Sequence, residues 1–458
     1  MWIGKRVVSA LVVSLGALIV WEAPPSDAIA ADKTTIRLAF SKDYAPNTPD
    51  LQMGWMEGIK KNFEKENPNV EVELVPIQAG YDDLVTKLSL MLSSKGRAPD
   101  VAQIPAQQTA QWATNGLLLP LDDKVATSGW WPRMATPVKG EGTVDGKVYA
   151  ASEGVNTSAL YYDIDNFKKA GIPTPWKPRN WDDVIAAAEK IKANVPNVSP
   201  LLIATGTAGG SQGLMLGALN LVAASSDPTI YDESTGKWVV DSKGLRETLG
   251  FYQRAAKEGL FAPASQMMNA NMTGDMASSL AKRNLGILLG GNYVPGIFTK
   301  GICNPCWQDA AQHIGVTPIP TAMGQAPGLG TAFGGWSLVI SKNSKHPELA
   351  WKLLDFMQRK DNLLQELYVN GLVPPIPEYM NEPAYANVAP PYQGEFAKLL
   401  PMAKKVPVQA SYPIWAYAFN QATESIALNP STSVDAVLKK METYIAAQVG
   451  PDKVTSRQ

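Results

Sequence analysis

Few side chains in this sequence suit the usual catalytic chemistries. It has only two histidines, His313 and His346, which gives little support to a histidine-based nucleophilic triad or a structural zinc site. Its two cysteines stand in CNPC as Cys303 and Cys306. That spacing suits a redox pair, half a metal site or a small loop disulfide, and the disulfide fits a chain that leaves the cytosol. The glycine-rich GTAGGSQG, Gly206 to Gly213, lacks the lysine of a phosphate-cradling loop and reads as a turn or a ligand-facing loop. The acidic residues number 42 and allow many carboxylate pairs, so a secreted glycosidase stays open. Binding chemistry is better supplied, by 13 tryptophans and 15 tyrosines. Trp336 follows Gly334 and Gly335 in GTAFGGWSLVISK, where it is either core or a flat platform for a ligand.

The elements that must position such residues are those of a large folded chain. With 458 residues, 45% of them hydrophobic, the chain exceeds one domain of ordinary size. A net charge of -1 gives no support for nucleic acid as a partner. Residues 1–30 read as a removable export signal: Lys5 and Arg6, the apolar run VVSALVVSLGALIV, then Ala28 and Ala30 in an A-x-A pattern. The run is short for a bilayer span. After it, TTIRLAF, VEVELVPI and PDVAQIP read as strands separated by amphipathic helices, a rhythm that predicts a parallel sheet with covering helices. The rhythm returns after Gly146. NWDDVIAAAEKIKAN predicts a helix with Asn180 as N-cap and Asp182 and Asp183 in its first turn. NLGILLGG and HIGVTPIP predict strands that rejoin the first sheet, and SLVIS a strand that enters a second lobe.

Four stretches, in order and spacing, carry a resemblance: Ala98 to Asp123, Gly146 to Lys192, LGILLGGNYVPG, and GGWSLVISKNSKHPELAWKLLDFM. Together they resemble the maltose-binding-like extracellular solute-binding proteins that serve ATP-driven importers of sugars and glycerol phosphates. The resemblance implies an α/β, periplasmic-binding-protein-like fold of two lobes with a ligand cleft and a hinge of crossing strands. The lobes are expected as 31–150 with about 285–332, and 151–284 with about 333–458. It implies a periplasmic, monomeric binding protein that is not an enzyme, needs no cofactor or metal, and docks on a membrane permease.

A neutral sugar has hydroxyl edges and apolar C–H faces, which call for amides or carboxylates and for aromatic rings. Such residues should lie in the loops after strands of a parallel sheet. That places Asp43 and Tyr44 after the first strand, Gln78 and Tyr81 after the second, and Gln107 and Gln108 after the third. Glu153 lies at an expected inter-lobe crossing, one place before the aspartate of many relatives, where this chain has Gly154. In GGNYVPG, which resembles the family's G-x-W segment, Asn292 and Tyr293 are candidates, with Tyr293 at the tryptophan's place. Gly335 and Trp336 sit at a later crossing, and Trp415 faces either the cleft or its own helix neighbour Phe419. Tyr161-Tyr162 resembles the paired tyrosines of ferric-ion binders, but the ALYYD context also suits a structural strand. Lys42 is the one obvious basic cleft residue, which ranks phosphorylated ligands lower.

Overall fold

The computed structural model describes residues 33–42, 51–269, 272–296, 307, 309–386, 392–407 and 409–457. The expected signal segment, Asp43, Tyr44, Cys303 and Cys306 lie outside the described residues.

Strand β1 (Thr34–Ser41) leads through helix α1 (Leu51–Glu66) to β2 (Val70–Ile77), then through α2 (Tyr81–Ser93) to β3 (Val101–Pro105). The β1–β2 register runs unbroken and parallel from Thr34–Val70 to Ser41–Ile77. In β2, Val70 and Val72 are buried while Glu71 and Glu73 are exposed, the alternation of an edge strand with one covered face. The buried stripe of α1 includes Trp55, Met56, Ile59 and Phe63, at helical spacing. It packs on helices from late in the chain: Phe63 meets Phe356 edge-on at 5.5 Å, and Trp55 Nε1 donates to the Asn362 carbonyl at 3.3 Å.

Two adjacent strands follow, β4 (Ala150–Asn156) and β5 (Ser158–Asp163), then α3 (Trp181–Asn194), β6 (Ser199–Leu202), α4 (Gly210–Leu216), β7 (Leu285–Gly291), β8 (Ile314–Thr317) and β9 (Gly334–Ile340). Helices α5 (Pro347–Met357), α6 (Lys360–Val369), α7 (Tyr412–Leu428) and α8 (Val434–Val449) complete the main frame. The Asn180 side chain caps α3 as expected, accepting from the Asp183 N–H at 3.0 Å.

The strands divide into two sheets, ordered β2-β1-β3-β9-β4 and β8-β5-β7-β6. This corrects the expected strand assignment. β7 and β8 do not rejoin the first sheet; both pair antiparallel with β5. β9 does not enter the second lobe; it lies antiparallel between β3 and β4 in the first. Hydrophobic runs identify strands but carry no address for their partners. The chain passes between the sheets at Asn156–Ser158 and again at Ala332–Gly334, the second time from the second sheet back to the first, opposite to the expected direction, and the crossing expected near residue 285 is absent because β7 lies beside β5. A short parallel bridge, Thr331–Ala332 with Ala403–Lys404, accompanies the second crossing.

Buried polar side chains tie these crossings together. Asn292 Oδ1 accepts from the Thr157 N–H at 3.1 Å, and its Nδ2 donates to the Gly371 carbonyl at 2.7 Å. Thr331 Oγ1 accepts from the Ser158 N–H at 2.9 Å, and Asn220 Oδ1 accepts from the Ala332 N–H at 2.9 Å. Three of these bonds satisfy backbone N–H groups at or beside the crossings, and the fourth ties them to the carbonyl of Gly371 just after α6.

Candidate functional site

A cavity of about 210 Å³ lies between the two sheets and beside both crossings. The first lobe supplies Tyr81 at the start of α2 and Gln107 just after β3, and the second supplies Gln212 and Met215 from α4 and Tyr293 after β7. The floor is made by the crossing residues Asn156 and Phe333 to Trp336, and by Tyr368 to Leu372 at the end of α6.

Trp336 is held where a platform is needed. Its strand neighbours are Pro105 on β3 and Gly154 on β4. The preceding Gly335 has φ +151°, and a Cβ there would collide with the Gly154 carbonyl, so only glycine lets the two strands approach this closely. The indole is half-buried, packed against the first lobe's core and facing the cavity with the remainder.

Amides dominate the polar part of the wall. Gln107 donates its Nε2 to the Tyr81 hydroxyl and, across the cleft, to Met215 Sδ at 3.2 Å. The amide oxygens of Gln107 and Asn156 are buried and have no protein partner among the described residues. Tyr293 is half-buried, and burial pushes its phenol above the ordinary range, with the Thr273 hydroxyl easing the effect, so it stays a neutral hydroxyl. Among the described residues no Asp, Glu, Lys or Arg borders the cavity.

The comparisons with known proteins agree with this architecture. The profile of the bacterial extracellular solute-binding proteins matches residues 45–363. The chain belongs to that family. A protein of Brucella abortus named only as a binding protein is 28% identical over 418 residues, covering 90% of this chain and 92% of its own. The arabinooligosaccharide-binding protein of Bacillus subtilis is 22% identical over 67% of each chain. Among solved structures, the maltose-bound MalE3 of T. maritima superposes with a TM-score of 0.74 at 20% identity, covering 90% of this chain and 99% of its own. A solute-binding protein of Agrobacterium vitis with bound D-mannitol gives 0.67 at 22% identity, covering 91% and 98%. No described helix of this solute-binding protein is long and apolar enough to cross a membrane.

The cavity gathers Tyr81, Gln107, Tyr293, Gly335 and Trp336 from the residues expected at the site. Others belong elsewhere. Gln108 does not border the cavity, and Gln78 is exposed on the loop after β2. Asn292 has no exposed surface, and both ends of its amide brace the crossings. Trp415 is fully buried in the second lobe: its Nε1 donates to the Val239 carbonyl at 2.8 Å, and its ring stacks on Phe419 and Trp238. The bland alternative of helix-face packing is therefore the observed one. Glu153 is only 1% exposed and lies in the first lobe's interior. The register between β4 and β9 slips there, Trp336 pairing with Gly154 and Ser337 with Ser152, which leaves Glu153 as the extra residue of a bulge. The tyrosine pair is structural: the Tyr161 hydroxyl donates to the Gly291 carbonyl, and that of Tyr162 accepts from the Trp176 N–H.

Residues the sequence reading passed over complete the wall, chiefly Asn156, Gln212 and Asn370. Gln212 lies in the glycine-rich GTAGGSQG, already readable as a ligand-facing loop. Asn370 precedes Gly371 at the end of α6, a helix-stop signal that carries no hint of a cavity beyond it.

Proposed function

We propose that this protein captures a neutral carbohydrate, a sugar, oligosaccharide or sugar alcohol, in the cavity between its sheets and delivers it unchanged to the permease of an ABC-type importer. The observation that carries this reading is the wall's chemistry: aromatic rings and uncharged amides, with no charged side chain bordering the cavity among the described residues. Rings cover the C–H faces of a sugar, and the unpartnered oxygens of Gln107 and Asn156 accept from its hydroxyls. A phosphate would meet acceptors instead of donors there, which argues against a glycerol phosphate. A glycosidase needs two carboxyl groups flanking the scissile bond, and the described wall presents none. Relatives named for arabinooligosaccharides and multiple sugars support the same class. The leader-like residues 1–30 fit export to the periplasm, where a monomer would meet its permease.

A thermal-shift screen over mono-, di- and oligosaccharides, sugar alcohols and glycerol 3-phosphate, with product analysis of every mixture, tests the proposal. A neutral sugar or polyol should raise the unfolding midpoint and be recovered intact. A shift by glycerol 3-phosphate alone, or recovery of cleaved sugar, would overturn it.

A further inference from the structure

Behind the cavity floor, a chain of side-chain amides ends on two buried carboxyl groups. Glu153, in the β4 bulge, and Glu366, on α6, are 1% and 0% exposed. Gln103 on β3 joins them, its Nε2 donating to Glu153 Oε2 at 2.9 Å and to Glu366 Oε1 at 3.2 Å. Gln103 Oε1 accepts from Gln52 Nε2 at 3.2 Å. Asn370 Nδ2 then donates to Gln52 Oε1 at 2.7 Å and to Glu366 Oε1 at 2.6 Å. Asn370 also borders the cavity.

The direction of this relay is forced. An amide has a donor end and an acceptor end, and a carboxyl pair that keeps one proton still presents one ionised carboxylate to Gln103, which only accepts. The two carboxyl oxygens require the NH2 of Gln103, which turns its carbonyl to Gln52. Gln52 must answer with its NH2, which turns its own carbonyl to Asn370. Asn370 supplies NH2 to both Gln52 and Glu366, so Oδ1 is the polar atom it has left for the cavity. Reversing any one amide would set acceptor against acceptor in a buried place, where a lost partner is costly.

We propose that Glu366 and Glu153 are positioning residues, which set the polarity of the amide relay so that Asn370 presents an acceptor to the ligand. The consequence is selective. A ligand hydroxyl is matched at Asn370, and an ether, carbonyl or phosphate oxygen is not. The proposal rests on the cavity being the ligand site, but the relay itself can be tested without any ligand.

The groups facing the two carboxyls carry no compensating charge. Helix α1 supplies Gln52 and β3 supplies Gln103, while Gln358, just after α5, spends its Nε2 on the Ser152 carbonyl. The Tyr385 hydroxyl is occupied with the Leu372 carbonyl. No cation forms an ion pair with either acid among the described residues. Two buried carboxylates sharing one amide repel when both ionise, so the pair keeps a proton at neutral pH and the relay loosens when that proton leaves.

The experiment uses the full chain labelled with 15N-asparagine, the Asn370 side-chain signals being assigned from an Asn370→Ser variant. At neutral pH both Asn370 NH2 hydrogens should exchange with water at least about tenfold more slowly than those of surface asparagines, as expected of buried bonded groups. Their shifts should move in the alkaline range. Glu366→Gln, which keeps an acceptor oxygen but cannot ionise, should retain the protection and lose the alkaline transition. Glu366→Leu should abolish the protection. Should Glu366→Leu fail to fold, the pH titrations of Glu366→Gln and Glu153→Gln decide. Fast exchange in the parent, an unchanged alkaline transition in both glutamine variants, or full protection in a folded Glu366→Leu would each overturn the proposal. A silent sugar screen with an intact relay would instead strike only the ligand reading.

Discussion

At the scale of single residues, Trp336 and Trp415 show what a sequence can and cannot assign. Both are aromatic residues in suggestive settings, yet Trp336 borders the cavity and Trp415 is sealed between Val239, Trp238 and Phe419. The difference was partly legible. Gly334-Gly335 ahead of Trp336 announce a close backbone approach, which Gly335 fulfils at φ +151° against Gly154. Trp415 and Phe419, four residues apart on one helix, announce face packing. Asn292 was misread because hinge and cleft both ask for amides, and only the observed partners, Thr157 and Gly371, distinguish the two uses. If Trp336 is the stacking platform, Trp336→Ala should weaken the sugar found by the screen by about 1–3 kcal/mol, as for loss of an anchor aromatic. Trp336→Phe should recover most of that loss. Titration calorimetry on both variants checks this, with unfolding midpoints as control; equal affinity in parent and Trp336→Ala would remove the ring from the site.

At the scale of elements, the existence of the strands was legible and their pairing was not. LGILLGG is buried throughout as β7, and an uninterrupted apolar run fits the middle of either sheet equally well. The decision falls to β5, whose Leu160 and Tyr162 meet Leu289 and Ile287 in antiparallel register. The β4 bulge was equally hidden, because one extra residue leaves no mark in hydrophobic periodicity, yet it takes Glu153 from the expected cleft into the interior. That placement has a stability consequence. Burial pushes the Glu153 carboxyl from 4.5 up to about 8, with the Gln103 bond partly opposing it. Burial, then repulsion from Glu153, raises Glu366 in the same direction. Between those values the folded chain holds a proton that the unfolded chain has released. Stability should therefore fall as pH rises from 4.5 to about 8, by up to about 1.4 kcal/mol per pH unit for one such proton. Urea unfolding across that range should show a shallower decline in Glu153→Gln than in the parent. Parallel declines would mean that Glu153 is already ionised in the folded chain.

At the scale of the whole molecule, the two lobes are joined in two different ways. At the hinge, the crossings are fixed by buried bonds from Asn292, Thr331 and Asn220. At the cleft mouth, the contacts are lighter and face solvent. Ser211 Oγ, on α4, donates to Asp82 on α2 at 2.7 Å in an exposed position, and deeper, in the half-buried cavity wall, Gln107 reaches Met215. Gly210 has φ +56°, and a Cβ there would run into the Asp82 carboxylate, so the loop is shaped to receive that acid. A buried hinge with a solvent-exposed latch is the arrangement expected of lobes that must part to release a ligand, because bonds open to water are readily exchanged for bonds to water. Asp82→Ala should therefore shift the ligand-free chain toward an open form, visible as a larger radius of gyration in small-angle scattering. A saturating sugar should return the variant to the parent's dimensions, with affinity reduced severalfold because ligand binding must then supply the closing free energy. Identical scattering of parent and variant without ligand would show that Asp82 and Ser211 do not hold the lobes together, and would leave closure to the cavity walls themselves.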